Sequence, residues 1–194
     1  MKDHERAPRN ARPLGRRRFL GLGAAAAAAP FVTRLAAFAS PAAPLPPDRG
    51  LAFYNTHSAE SEAVEYCRGG ELLPASLARI NYILRDTYTG EIKDIDLGLL
   101  DLLNELARAL GAGEPFHVIS GYRSPSTNEY LRLHGSGGVA VHSLHLLGKA
   151  IDIRVPGVKL RDLYRAAVGL RGGGVGYYPA SDFIHVDVGR VRTW

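Results

Sequence analysis

Two short segments late in the chain constrain its fold most. In residues 150–155 (AIDIRV), Ile151, Ile153 and Val155 alternate with Ala150, Asp152 and Arg154. In residues 183–188 (FIHVDV), Ile184, Val186 and Val188 alternate with Phe183, His185 and Asp187. Successive side chains of a strand point to opposite faces, so a period of two reads as a half-buried β-strand. Each segment therefore turns an aliphatic row toward a core. The opposite face carries Asp152 in one segment and His185 with Asp187 in the other. A polar face of that kind either meets water or builds a site.

The rest of the chain supplies helices for such a sheet. Leu99, Leu102, Leu103, Leu106 and Leu110 fall on one stripe, predicting a helix over 97–110 that Gly111 and Gly113 end. Helical spacing also recurs over 77–85 and over 160–170, the latter stopped by Gly172-Gly173-Gly174. Strands are predicted at 50–55 and 116–120, a helix opens within 126–132, and 135–138 is a loop. The chain has 194 residues, 46% of them apolar, which suits one domain plus extensions. A single cysteine, Cys67, excludes a disulfide scaffold, and no nucleophile signature surrounds it.

The net charge of +5 points to nucleic acid until its distribution is considered. Of 24 basic and 19 acidic residues, eight and two lie in residues 1–39. That leaves 16 basic and 17 acidic residues in 40–194, a net of −1, so nucleic acid is not an expected partner. The basic leader runs into an apolar stretch over 19–32 (FLGLGAAAAAAPFV) of 14 residues, short of the roughly 20 a spanning helix needs. A basic segment, a short apolar run and the small-residue site Ala37-Phe38-Ala39 form a secretory signal. Arg16-Arg17-Arg18-Phe19-Leu20 resembles the twin-arginine type. The expected organisation is a signal over 1–39, a Pro-rich linker over 40–50 and a folded domain over 51–194. A periplasmic or other extracytoplasmic location follows, with no stable membrane span once the leader is processed. The sequence leaves the oligomeric state open.

His145 and Asp152 stand seven residues apart with Gly148 between them, and His185 follows 33 residues after Asp152. A His at a loop end and an Asp on the next strand can converge across a glycine turn. Two His and one carboxylate make a three-ligand zinc site that keeps one position open for water. Zinc in such a site acidifies water and polarises a carbonyl, which suits amide hydrolysis. A nearby carboxylate would take the proton: Asp187 shares a face with His185, and Asp182 lies three residues before it. The alternative is that both His residues only hydrogen-bond core or surface groups.

The motif Ser-x-His-x-x-Gly-x-Ala-x-Asp-Ile over 143–153 is followed by GGVGYYP (173–179) and FIHVDVG (183–189). Upstream stand Ser120-Gly121-Tyr122-Arg123-Ser124-Pro125, Asn128, Leu131 and Gly138-Val139-Ala140; Asn55-Thr56-His57 opens the series and Arg190-Val191-Arg192-Thr193-Trp194 closes it. Together they resemble the YcbK-like or MepK-like branch of the M15 zinc peptidases over about residues 50–194. The resemblance implies an α+β fold, a small antiparallel sheet with flanking helices, as in zinc D-Ala-D-Ala peptidases and the hedgehog N-terminal domain. It implies a murein endopeptidase with Zn2+ on His145, Asp152 and His185, acting on peptidoglycan stem peptides. Asp187 becomes the general base or a polar partner, with Asp182, at the position where related enzymes carry a Glu, as the second choice. Arg123 would hold a peptide carboxylate or the developing oxyanion. Ser143 reads as a support near the metal or as a turn residue, and Trp194 as a packing residue. Two further readings remain at this stage: a D,D- or L,D-carboxypeptidase, and a non-catalytic peptidoglycan-binding protein of the same fold.

Overall fold

The computed structural model describes residues 44–111, 113–135 and 139–194. The expected signal over 1–39 lies outside the described residues, as does most of the loop at 135–138. In chain order the elements are β1 (Arg49–Asn55), β2 (Ser61–Arg68), β3 (Glu71–Leu72), α1 (Pro74–Ile83), α2 (Leu97–Leu110), β4 (Phe116–Ser120), α3 (Pro125–His134), β5 (Ala150–Arg154), α4 (Leu160–Leu170), β6 (Gly174–Tyr178), β7 (Phe183–Asp187) and β8 (Arg192–Thr193). Single 3-10 turns occupy Leu144–Leu147 and Pro179–Ser181.

The strands form one eight-stranded sheet in the order β3-β2-β1-β4-β5-β7-β6-β8. The fold is α+β, as expected. The sheet is mainly antiparallel, with parallel pairs at β1–β4 and β6–β8. The β1–β4 pair is parallel because α1 and α2 lie in the connection between them, the crossover that a parallel pair requires. Helix α1 packs on β2, α2 on β1 and α4, and α4 on β6 and β7.

Helix α2 follows from its sequence. Asp96 caps its first turn by accepting from Gly98 N–H at 2.9 Å, and Gly111 ends it at φ +59°. Leu99, Leu100, Leu103 and Leu106 are wholly buried. Each such side chain stabilises the fold by about 1.5–3 kcal/mol relative to exposure. Helix α1 begins earlier than the apolar spacing suggests, because Pro74 starts its first turn. Strand β2, which the sequence reading did not anticipate, buries Val64 and Tyr66 while Ala63 and Glu65 stay outward. That alternation is legible in EAVEY but is masked by the density of charge. Cys67 is buried in β2 with its thiol on Pro47 O. Pro47 O also accepts from Gly70 N–H, and Asp48 from Gly69 N–H, so the end of the expected linker is docked, and β1 already begins at Arg49. No described helix is long and apolar enough to cross a membrane.

The sheet positions the site through β5 and β7. Ile151, Ile153, Ile184 and Val186 are buried on the core face. The antiparallel register sets Asp152 directly opposite His185 on the other face. Cross-strand partners of this kind hold their Cβ atoms about 4.5–5.5 Å apart, within reach of one shared ion.

Candidate metal centre

His145 comes to this pair from a separate turn. Ser143 precedes the 3-10 turn and accepts from His145 N–H at 3.3 Å, the capping one of its two expected roles. Gly148 ends the turn at φ +65°. A Cβ there would meet Asp94 O at 2.5 Å, so both the dihedral and the space demand glycine. The chain then reverses into β5, which is how a seven-residue spacing folds His145 back over Asp152.

Three atoms share one focus. His145 Nε2 lies 3.2 Å from Asp152 Oδ1 and 3.2 Å from His185 Nδ1, and His185 Nδ1 lies 2.8 Å from Asp152 Oδ1. The other ring nitrogens identify the tautomers. His145 Nδ1–H donates to Gly121 O at 2.7 Å, and His185 Nε2–H donates to Asp187 Oδ2 at 3.1 Å. With those nitrogens carrying the protons, the two facing nitrogens each present a lone pair. Two lone pairs and a carboxylate oxygen aimed at one point form a cation site. Ligands on a tetrahedral zinc at about 2.0–2.1 Å are separated by about 3.3 Å, close to the observed edges. Among the described residues this is the cluster whose His and Asp groups are arranged to hold a metal.

The electrostatics of His145 and Asp152 agree with the donor set, while those of His185 favour its protonated form, whose proton a bound cation would displace. Burial pushes the His145 imidazole below its ordinary value, against the pull of Asp152, and so favours the neutral ligand form. Burial alone would raise Asp152, but His145, His185 and Arg123 outweigh it and hold the carboxyl well below its usual range. Burial likewise opposes a charged His185, yet Asp152 and Asp187 overcome it and raise the imidazole.

The remaining expected residues separate by position. Arg123 is brought to the centre: its Nη2 pairs with Asp152 Oδ2 at 2.5 Å, and its Nε donates to Ser120 Oγ at 2.7 Å. It thereby ties down the oxygen of Asp152 that does not face the two His rings. Asp187 is also brought in, but behind His185. It is fully buried and accepts from His185, from Arg192 Nη1 at 3.1 Å and Nη2 at 2.7 Å, from Gly174 N–H at 3.0 Å and from Gly189 N–H at 2.8 Å. Both oxygens are engaged on the side of the ring away from the focus, the geometry of a polar partner to His185. These bonds outweigh the burial that would raise it, and keep its carboxyl below the usual range. Asp182 stands apart, exposed at φ +53° and paired with Arg154 at 3.2 Å.

Arg192 was missed by the sequence reading. Its place in the closing RVRTW segment was visible, its bidentate grip on Asp187 was not. Of the other His residues, His117 packs on Tyr54, His134 stacks on Tyr130, and His57 reaches Ile119 O at 3.0 Å. Tyr177 packs against Tyr164. The centre opens into a cleft of about 560 Å³ lined by Ser120, Tyr122, Arg123, His142, Tyr178 and Trp194, among others.

A largely buried His-Asp-His focus lining an open cleft, with each ligand held by a further hydrogen bond, has the form of a metal centre whose outer partners orient its ligands. Comparison with known proteins is specific. Residues 44–194 match the family described as peptidoglycan L,D-endopeptidase MepK, within the M15 peptidases, and the chain belongs to that family. It is 42% identical over 179 residues to the peptidoglycan L,D-endopeptidase MepK of Escherichia coli K12, covering 92% of this chain and 96% of the relative. The Shigella flexneri protein of that name matches to the same extent. A probable peptidoglycan L,D-endopeptidase MepK from Haemophilus influenzae is 43% identical over 150 residues, 77% of this chain and 80% of the relative.

Proposed function

We propose that this chain is a zinc peptidase that hydrolyses L,D-type peptide cross-links of peptidoglycan outside the cytoplasm. The observation that carries this reading is the convergence of His145 Nε2, Asp152 Oδ1 and His185 Nδ1 within 2.8–3.2 Å, in a family whose named members are peptidoglycan L,D-endopeptidases. The twin-arginine-type leader over 1–39 supports export to the wall.

His145, Asp152 and His185 would hold the ion, with their outer hydrogen bonds to Gly121 O, Arg123 and Asp187 keeping the donor atoms aimed. Bound zinc lowers the pKa of water to about 7 and polarises a carbonyl. Asp187 fixes the tautomer and angle of His185. Of the two candidate carboxylates, Asp187 is saturated by five donors, so the proton acceptor is assigned to Asp182, which must leave its ion pair with Arg154 and turn into the cleft to serve. Asp182 is solvent-exposed and sits between Ser181 and Phe183, both of which line the cleft. Arg123 lines the same cleft, and its Nη1 is not used in binding Ser120 or Asp152. That nitrogen is suited to a substrate carboxylate or to the oxyanion formed during attack.

The test is incubation of the zinc-loaded chain with cross-linked muropeptide dimers of defined linkage and with monomeric stems. The expected result is conversion of L,D-linked dimers to monomers. Trimming of monomer ends alone would make the protein a carboxypeptidase. Zinc binding without cleavage of either substrate would make it a binding protein.

A further inference from the structure

The wall of the cleft beside His185 is aromatic, and no step of the reaction above uses it. Strand β8 runs parallel to β6 and carries Trp194 across Gly176. A Cβ at Gly176 would lie 2.7 Å from the indole, so this crossing needs glycine beneath the ring. The indole N–H donates to Tyr178 Oη at 2.8 Å, and Tyr178 stacks on Phe183 with centroids 4.7 Å apart. The Arg192 guanidinium, itself bound to Asp187, lies 4.8 Å from the Trp194 ring centroid. The indole is 5.3 Å from the His185 ring. Trp194, Tyr178 and Phe183 thus line one cleft together with His145 and Asp152.

Trp194 nevertheless stays 48% exposed. It is locked by its N–H, by the backbone under it and by a cation, and it is both partly exposed and among the residues that line the cleft. An aromatic ring held in this way binds at little entropic cost, since its rotamer is settled before the ligand arrives. We propose that Trp194 and Tyr178 form a substrate subsite, a rigid apolar wall that packs against the methyl and methylene groups of the stem peptide next to the scissile bond. The packing expected of Trp194 is present in its contacts with Gly176 and Arg192; the subsite goes beyond it and rests on the reading of the protein as a peptidoglycan peptidase.

Trp194 is the sole tryptophan of the chain, so intrinsic emission reports on this wall alone. The experiment mixes the zinc-loaded full-length protein with an L,D-linked muropeptide dimer and follows emission before turnover, alongside steady-state kinetics of Trp194→Ala and Trp194→Phe. Expected are a saturable blue shift, a KM raised about tenfold in Trp194→Ala with kcat within about threefold, and partial recovery in Trp194→Phe. A purely structural role would lower kcat and zinc content together, and would leave the wild-type emission unmoved by substrate. An active wild type with unmoved emission, and with Trp194→Phe and Trp194→Ala equal to it in KM, overturns the subsite alone. A wild type that neither cleaves nor binds any muropeptide overturns the peptidase reading and the subsite with it. If Trp194→Ala does not fold, the wild-type emission and the Trp194→Phe KM decide between these outcomes.

Discussion

At the residue scale the centre is built from ordinary side chains made directional by their second contacts. His145 is a metal ligand candidate because Gly121 O holds its Nδ1–H, and His185 because Asp187 holds its Nε2–H. Two consequences separate the carboxylates. Asp187→Asn should weaken zinc affinity by about 10–100-fold, measured by competition with a chelator, because the outer partner of His185 is impaired. Asp182→Asn should keep zinc and lose about 10²–10⁴-fold in turnover, the usual cost of removing a proton-transfer group. Zinc retained at full affinity in Asp187→Asn would show that the bond to His185 does not support the ligand. Both carboxylates were legible in FIHVDV and its flank as groups near His185. Strand alternation correctly set Asp187 on the face of His185. It could not say which ring nitrogen Asp187 meets, because that depends on side-chain torsions and on Arg192, Gly174 and Gly189 closing in from other parts of the chain.

At the element scale the ligands depend on one turn and one register. Gly148 lies between His145 and Asp152 with φ +65° and with Asp94 O where a side chain would start. Gly148→Ala should therefore destabilise the fold by about 1–3 kcal/mol, read from urea unfolding, and should lower zinc affinity as His145 is displaced. Unchanged affinity would mean that the turn can relax without moving the imidazole. The helix over 97–110 and the strands at 116–120, 150–154 and 183–187 were legible because a buried stripe imposes its period on the residues. Strand β2 was not picked out, since Glu62 stands on the same face as Val64 and Tyr66 and breaks the apolar row there. The parallel pairing of β1 with β4 leaves no local signal in either strand.

At the scale of the whole molecule, the loop carrying Arg123 is anchored by a buried acid far away in sequence. Asp86 Oδ2 accepts from Ser124 N–H at 2.6 Å, while Oδ1 accepts from Tyr88 and Thr89 N–H. Burial alone would raise this carboxyl, but bonds from Thr127, Ser124 and Tyr88 outweigh it and hold it below the ordinary value. A depressed folded value means that Asp86 contributes its full stabilisation above the unfolded value of about 3.9. That contribution is lost as pH falls through the folded value. Asp86→Asn, which presents a donor where an acceptor is needed on one side, should cost about 1.5–3 kcal/mol at pH 7. The difference from wild type should shrink as pH drops below about 4, followed by urea unfolding across pH. A gap that stays constant down to acid pH would show that charge on Asp86 is not what holds the loop.

Together with the family resemblance, the amino-acid order singled out the two His and one Asp that meet; by itself it determined the periods of the main helices and strands and the near-neutral charge of the domain. Those are local properties, since a buried face, a capping residue or a glycine turn acts within a few positions. Only the tertiary structure decided that Asp187 stands behind His185, that Asp182 stays at the surface, that Arg123 grips Asp152, and that Trp194 walls the cleft. Each of these depends on atoms from separate elements arriving within hydrogen-bond or van der Waals distance, which packing sets and spacing along the chain does not.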